Sequence, residues 1–401
     1  MSNRNNNIIQ KIFQSYLPQL KNKKLPLKDQ KAITAITACR TPEMGYQYLS
    51  CPKGHEDKIN SHSCRHRSCS ICSNKGRHEW IESEKERLIN CPHYHVVFTL
   101  PHEYINLWQY NRKWFTKTFF KACRNTLIEL LEDDRYLGAT PGILMTLHTW
   151  GRQMNMHPHI HCLITAGGLS SDEWKATHNN YLLPIKVVKA LFRGKMQAYI
   201  KQAYLEDMLR LPLNTTPHEF NQMHRSLYKK EWSIRIQEQY KHGRGVVLYL
   251  AKYMKGGPIN PKQILSCDYQ NTTFAYKDHH TGNIKTLKIA TQELIRRILW
   301  HVPEIGVHVV RHYGLYASKK QKSRQRCKDL LGIDDTFSKN TRVTAKDELH
   351  WCCRICGNVM NHLYTVFKAY RDENSYIKES SLRRVQQNVQ VDAVCWIGPD
   401  G

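Results

Sequence analysis

The sequence predicts an α+β protein: β-branched runs and amphipathic helical stretches both occur, but they do not alternate regularly as they would in a doubly wound sheet. Three observations carry that reading. Val96-Val97-Phe98-Thr99-Leu100 is a β-branched and aromatic run closed by Pro101, and Gly142 to His148 and His159 to Thr165 read as further strands. Helical stretches lie between and after them, around Trp108 to Leu131 and Lys186 to Leu209. The connections between the strands are long, and no internal repeat or low-complexity tract interrupts them.

The beginning of the chain has a different texture. Ile8, Ile9, Ile12, Phe13, Tyr16, Leu17 and Leu20 recur at helical spacing and predict one amphipathic helix. Residues from about Leu27 to Arg40 predict another, stopped by Thr41-Pro42-Glu43-Met44-Gly45. The segment that follows is rich in cysteine and poor in apolar residues, so a core cannot be its main source of stability. Beyond Tyr316, Ser318-Lys319-Lys320-Gln321-Lys322-Ser323-Arg324-Gln325-Arg326 is a basic run, expected to be a linker or a DNA-contacting segment.

With 401 residues the chain can build two or three compact units. Its 60 Lys and Arg against 34 Asp and Glu give a net charge of +26. Such an excess favours a polyanionic partner, because phosphate contacts release condensed counterions. DNA is the expected partner and a membrane is not. No apolar run reaches the ~18 residues of a spanning helix, and Met1 to Gln10 is too polar for a signal peptide. A soluble, cytoplasmic and nucleoid-associated protein is expected. No Gly-x4-Gly-Lys loop is present, so no nucleotide-driven motor is expected.

The 14 cysteines point to metal rather than to disulfides, because five of them, Cys39, Cys51, Cys64, Cys69 and Cys72, crowd into one short stretch. Cys51-x3-His55 followed by Cys64-x4-Cys69-x2-Cys72 supplies five candidate ligands where tetrahedral zinc takes four. The spacing does not decide between His55 and Cys64. Arg65, His66, Arg67, Lys75 and Arg77 surround the site with positive charge. Cys352, Cys353 and Cys356 form a weaker cluster, with no second ligand pair at a standard distance in sequence.

In the stretch Leu147 to Ile164, His159 and His161 alternate with Ile160, so on a strand both imidazoles share one face and can hold one divalent ion. His148, on the preceding strand, could join them across a hairpin as the third ligand. His157 has the same parity, with Pro158, which could turn it away, next to it. Downstream, Val246 to Met254 reads as a short helix ended by Gly256-Gly257-Pro258, and Tyr249 and Tyr253 lie one turn apart on it. Two phenols offered to one place suit two successive attacks on phosphodiesters. A phenol is a poor nucleophile at its ordinary pKa of ~10, so a cation that polarises the phosphate would do much of the work. Lys252 between them could help hold the phosphate.

Together these blocks resemble the HUH class of single-strand nucleases, and more closely the two-tyrosine transposases of rolling-circle insertion sequences, the insertion-sequence ninety-one type family. His95-Val96-Val97-Phe98-Thr99-Leu100-Pro101 resembles the family's first core strand. Leu147 to Leu163 resembles its metal strand with the preceding hairpin, Tyr249-Leu250-Ala251-Lys252-Tyr253 its paired-tyrosine helix, and Arg311-His312-Tyr313-Gly314 a later block. The cysteine-rich entry resembles its zinc region, so the likeness runs from about Cys39 to Lys320. The chain departs from the pattern at Cys51-Pro52-Lys53-Gly54-His55, where relatives often show Cys-x2-Cys.

The resemblance implies a nuclease core with a central antiparallel sheet flanked by helices, preceded by a small helical zinc-binding module. It implies Mg²⁺ or Mn²⁺ at His159 and His161, and Zn²⁺ in the N-terminal module. Tyr249 or Tyr253 would attack single-stranded or hairpin-forming element ends, leaving a 5′-phosphotyrosine and a 3′-OH, and target DNA would be joined later. The expected regions are 1–90 for the helices and zinc module, 91–320 for the nuclease and 321–401 for a basic linker and cysteine-containing tail. A conjugative relaxase or replication initiator would share this chemistry, and a zinc-dependent DNA-binding regulator would have none. The order of the tyrosines, the recognised DNA and the oligomeric state are not legible.

Overall fold

The computed structural model describes residues 7–240, 257–278, 281–332 and 351–367, apart from the side chains of 73–79, 85, 86 and 238. It divides into two units, residues 1–73 with 335–401 and residues 74–334. Among the described residues the fold is α+β, as the sequence predicts, with antiparallel sheets and flanking helices.

The first unit opens with helices α1 (Ile8–Ser15), α2 (Leu17–Lys21) and α3 (Leu27–Ala38). The single helix expected over Ile8 to Leu20 is therefore two. Pro18 sits in the first turn of α2, where a residue without an N–H is tolerated but cannot continue a preceding helix. Ile9, Ile12 and Phe13 of α1 and Ala32, Ile33 and Ile36 of α3 are buried, and the Gln10 amide donates to the carbonyls of Thr37 and Cys39 at 3.1 and 2.7 Å. Strands β1 (Gly45–Ser50) and β2 (Asp57–Ser61) then form a hairpin.

The second unit contains helix α4 (Ser70–Arg87) in large part and strand β3 (His93–Thr99), then α5 (Ile105–Tyr110) and α6 (Arg112–Leu131). A long hairpin follows, β4 (Thr140–Trp150) and β5 (Met156–Ser170), then β6 (Glu173–Ala176), α7 (Ile185–Leu205), α8 (Pro217–Lys229) and β7 (Ile234–Tyr240). The central sheet runs β11-β4-β5-β3-β7, where β11 is Val310–Gly314, and β6 extends β5. A smaller sheet joins β8 (Ile264–Cys267), β9 (Asn271–Lys277) and β10 (Ile284–Ala290), which leads into α9 (Thr291–Trp300).

Strand alternation gives the central sheet two different faces. Ile143, Met145 and Leu147 of β4, Ile160, Cys162 and Ile164 of β5, and Val96 and Phe98 of β3 join the main core with Phe115 and Phe119 of α6 and Phe192 of α7. The Phe98 and Phe192 rings lie 4.9 Å apart, and burial of each such side chain contributes about 1.5–3 kcal/mol. Part of the opposite face, around Leu144 and Leu163, is covered by Ile81, Leu88, Ile89, Leu315 and Tyr316. Gly314 closes β11 with φ +55, and a side chain there would collide with the Pro141 carbonyl oxygen. This close approach gives a physical reason for the glycine of the Arg311-His312-Tyr313-Gly314 block.

Three structural observations bear on the expected division of the chain. Ile81, Leu88 and Ile89 belong to the core beneath the central sheet, and the two compact units divide at residue 73. The basic run is not a linker: it enters helix α10 (Gln321–Leu330), where Cys327 is buried and Arg324 donates to the Leu315 and Ala317 carbonyls at 2.9 and 2.7 Å. The tail is not a separate region either. Its described part, Trp351 to Phe367, belongs to the first unit, where β12 (Asn361–Phe367) pairs antiparallel with β1.

His93 is fully buried, and burial pushes its pKa down to about 4. Its Nδ1–H donates to the Cys91 carbonyl at 2.7 Å, so Nε2 accepts from the Tyr316 hydroxyl at 2.6 Å. Above pH ~6.5 this histidine is neutral whether the chain is folded or not. As the pH falls from ~6.5 toward the folded value, the unfolded chain takes a proton that the native site refuses, which removes about 1.4 kcal/mol of stability per pH unit for each such group. Urea unfolding of the metal-free protein should therefore show stability falling between about pH 6.5 and pH 5, with a shallower fall in His93→Gln. A pH-independent transition across that window would contradict the buried neutral imidazole.

Candidate functional site

The register of three strands assembles a group of histidines on one face of the central sheet. Residue His148 of β4 pairs with His159 of β5, Thr146 pairs with His161, and Val97 of β3 flanks His161 from the other side. Side chains of directly opposed residues meet, and diagonal neighbours come within reach of long or aromatic groups. The ring centres of His148 and His159 are 5.4 Å apart, those of His148 and His161 4.6 Å, and those of His159 and His161 4.8 Å. One ligand nitrogen from each lies within 4.8 Å of the others, which is the geometry of a group able to hold one ion. His157 is outside this group; its carbonyl instead accepts from His159 Nδ1 at 2.7 Å.

The hydrogen bonds set the tautomers. Because His159 Nδ1 carries the proton it gives to the His157 carbonyl, Nε2 is the nitrogen with the lone pair. His95, a buried member of β3 that the sequence reading placed only in a core strand, continues the same logic. Gln237 Oε1 of β7 accepts from His95 Nδ1 at 2.6 Å, leaving His95 Nε2 to accept from His161 Nδ1–H at 2.8 Å. His161 then presents Nε2 as its basic nitrogen. His95 has the strand parity of Val97, which was visible in the sequence; its pairing with Gln237, 142 positions away, was not.

Burial lowers the pKa of His159 to about 4 and that of His161 well below the usual imidazole range, with neighbouring imidazoles reinforcing the effect. The rings are thus neutral near pH 7, the form that binds metals. Trp150 stacks on His148 at 4.6 Å and walls one side of the cluster. An imidazole-only donor set suits a divalent transition ion such as Mn²⁺ better than Mg²⁺, which prefers oxygen. Tyr249, Lys252 and Tyr253, the expected catalytic residues, lie outside the described residues.

In the first unit the cysteines gather differently from the single five-ligand site expected. Cys39, Cys64, Cys69 and Cys72 form one group, with Cys72 Sγ 3.4 Å from Cys39 Sγ and 3.6 Å from Cys64 Sγ. Tetrahedral zinc with bonds of ~2.3 Å separates its sulfurs by about 3.8 Å, so four thiolates at these spacings fit one ion. Cys51 and His55 belong elsewhere, beside Cys353 and Cys356. Cys39 was missed because it ends α3, far outside the Cys-x2-Cys spacing that marks a knuckle. The turn of chain past Met44, together with the Arg40 N–H to His62 carbonyl bond of 3.1 Å, brings it alongside Cys64.

Comparison with known proteins finds two family regions along the chain. Residues 8–100 match the family described as "Transposase zinc-binding domain", and residues 142–324 match the family described as "Putative transposase". The chain is 30% identical to "Putative transposase y4qJ" of Sinorhizobium fredii over 317 residues, covering 77% of this chain and 80% of that protein. It is 28% identical to "Transposase for insertion sequence element IS801" of Pseudomonas savastanoi pv. phaseolicola, covering 72% of this chain and 70% of that protein. No solved structure matches.

The four-cysteine cluster yields a direct expectation. Cys39→Ser should lower bound zinc by one equivalent per chain, measured by elemental analysis, and should make the N-terminal helices more susceptible to limited proteolysis, since metal binding and folding are coupled in small modules. Unchanged zinc content would remove Cys39 from the ligand set.

Proposed function

The chain belongs to the IS91 family of transposases, and on that footing we propose that it cuts and rejoins single-stranded DNA at the ends of its element by tyrosine chemistry. Family membership sets aside the relaxase, replication-initiator and regulator alternatives. The supporting observation is the histidine trio: His148, His159 and His161 converge on one face of the sheet, and hydrogen bonds leave Nε2 of both His159 and His161 as the ligand nitrogen.

In the proposed reaction the phenol oxygen of Tyr249 or Tyr253 attacks the scissile phosphorus. The new bond joins tyrosine to the 5′-phosphate, the bond to the 3′-oxygen breaks, and the phenol proton passes to solvent as the 3′-OH is released. The second tyrosine serves the later strand transfer, and Lys252 holds the phosphate between them. His148, His159 and His161 would hold a Mn²⁺ or Mg²⁺, whose charge would draw electron density from the phosphate. His95 and Gln237 hold the His161 ring with Nε2 as its basic nitrogen, the one that would bind the ion. The excess of positive charge binds the DNA backbone, and the element ends act as single-stranded or hairpin-forming substrates.

The reading is tested by incubating the protein with a labelled single-stranded element end and looking for a covalent adduct on a denaturing gel. The adduct should require Mn²⁺ or Mg²⁺, disappear in the Tyr249→Phe, Tyr253→Phe double variant, and form more than about 100-fold more slowly in His161→Ala. Persistence of the adduct in the double tyrosine variant would overturn the mechanism. Gln237→Leu should weaken Mn²⁺ binding about 10–100-fold without removing the ligands, as isothermal titration would register. Non-covalent binding of the same oligonucleotide should weaken by on the order of tenfold or more between about 50 and about 200 mM salt; a flat response would count against an electrostatic DNA surface.

A further inference from the structure

We propose that the first unit carries a second structural zinc ion, held by Cys51 and His55 from one end of the sequence and by Cys353 and Cys356 from the other. The zinc family match ends at residue 100, so half of this ligand set lies far outside it. The four ligand atoms lie within 4.8 Å of one another. Cys51 Sγ is 3.6 Å from Cys356 Sγ and 3.8 Å from His55 Nδ1, and Cys353 Sγ is 3.9 Å from the same nitrogen. Tetrahedral zinc with a sulfur distance of ~2.3 Å and a nitrogen distance of ~2.0–2.1 Å predicts edges of about 3.8 and about 3.6 Å. A disulfide would require ~2.05 Å between the sulfurs, so the arrangement is that of ligands around an ion and not of a cystine.

The backbone supports the same conclusion. The β1–β2 hairpin loop is closed by Cys51 N–H to the Glu56 carbonyl at 2.9 Å and by Gly54 N–H to the Cys51 carbonyl at 2.9 Å. The loop before β12 repeats the pattern, with Cys353 N–H to the Asn358 carbonyl at 2.8 Å and Gly357 N–H to the Cys353 carbonyl at 2.9 Å. Both turn on a glycine in the left-handed region, Gly54 at φ +74 and Gly357 at φ +72. Lys53 N–H also points at Cys51 Sγ at 3.4 Å, as His66 N–H points at Cys64 Sγ at 3.4 Å in the four-cysteine cluster. Such donors favour the thiolate that zinc needs. Glu56 Oε1 accepts from Arg354 N–H at 2.6 Å and ties one loop to the other.

The pairing of β1 with β12 explains why the two loops face each other. Ser50 pairs with Asn361 at one end of the ladder and Gly45 with Phe367 at the other, so the chain segments carrying the ligands leave the sheet at the same end. The Cys51-x3-His55 pair, which the sequence grouped with Cys64, Cys69 and Cys72, and the Cys353-x2-Cys356 pair, which had no partner in sequence, thus complete each other.

The test is the metal content of the full-length protein purified without chelator. Two zinc ions per chain are expected, one for each four-ligand cluster. Cys356→Ser should hold one, and Cys69→Ser should also hold one, by losing the other ion. His55→Cys should keep two and, after cobalt substitution, increase the thiolate-to-metal absorption by about one part in seven while shifting the visible bands, because a sulfur has replaced a nitrogen. One zinc in the unmodified protein, or two in Cys356→Ser, would overturn the proposal. So would an unchanged cobalt spectrum in His55→Cys, a variant that preserves four ligands and so separates a missing ligand role from a failure to fold.

Discussion

The placement of β5 between β4 and β3 is the constraint on which the histidine site depends. One face of β5 carries Ile160, Cys162 and Ile164 into the main core, and the other carries His159 and His161. Because side chains alternate with period two, a slip of a single residue would exchange those sets. Three apolar side chains, each worth about 1.5–3 kcal/mol when buried, would then leave the core while imidazoles entered it. The hydrophobic face therefore fixes the histidine geometry more strongly than any contact among the histidines. Pro158 and the hairpin between Trp150 and Met156 lie at the end of the ladder, where a change of pairing can be absorbed.

The second level of control is the hydrogen-bond chain that runs from Gln237 through His95 to His161. A neutral imidazole can place its proton on either nitrogen, and a metal site needs the choice made before the ion arrives. Here the choice is made by an amide oxygen on β7, relayed through a ring on β3 to a ring on β5. Burial keeps each member neutral, so the relay holds one arrangement near pH 7. On the same face, farther along β3, His93 uses the Tyr316 hydroxyl and the Cys91 carbonyl to reach the same neutral state. His93, His95 and His161 are thus satisfied by hydrogen bonds between neutral groups rather than by charge.

Much of this was legible in the sequence where the determinant is local. The strands around Val96, Leu144 and Ile160 follow from β-branched runs, and the His148, His159 and His161 group follows from alternation across a hairpin. What escaped depends on partners distant in sequence. His95 becomes part of the site only because Gln237 is aligned with it by β3–β7 pairing. Cys39 becomes a candidate ligand only through the turn after α3, and Cys353 only through the pairing of β12. The basic run read as a linker because its charge is conspicuous, whereas its helix is anchored by one buried cysteine and two backbone contacts from Arg324. Local spacing reports what a residue could do, and register decides with whom.

The three-stranded sheet of the first unit shows how little apolar burial supports that register there. Leu49, Cys51, Cys353 and Met360 are its buried cluster, with Trp351 and Cys356 packed beside them. An isolated two-stranded hairpin is marginal in water, and β1 lies between β12 and β2, so without β12 its other edge would be left open. Stacking of Tyr48 on Tyr364, with ring centres 5.1 Å apart, adds about 0.5–1.5 kcal/mol to that pairing, which is small against the entropy of ordering residues so distant in sequence. A core of this size needs another restraint. Ligands contributed by both loops place that restraint at the end of the ladder where β1 leaves and β12 enters, so strand pairing and ligand convergence favour the same conformation. Each lowers the entropic cost of the other, and neither needs a larger hydrophobic core to do so.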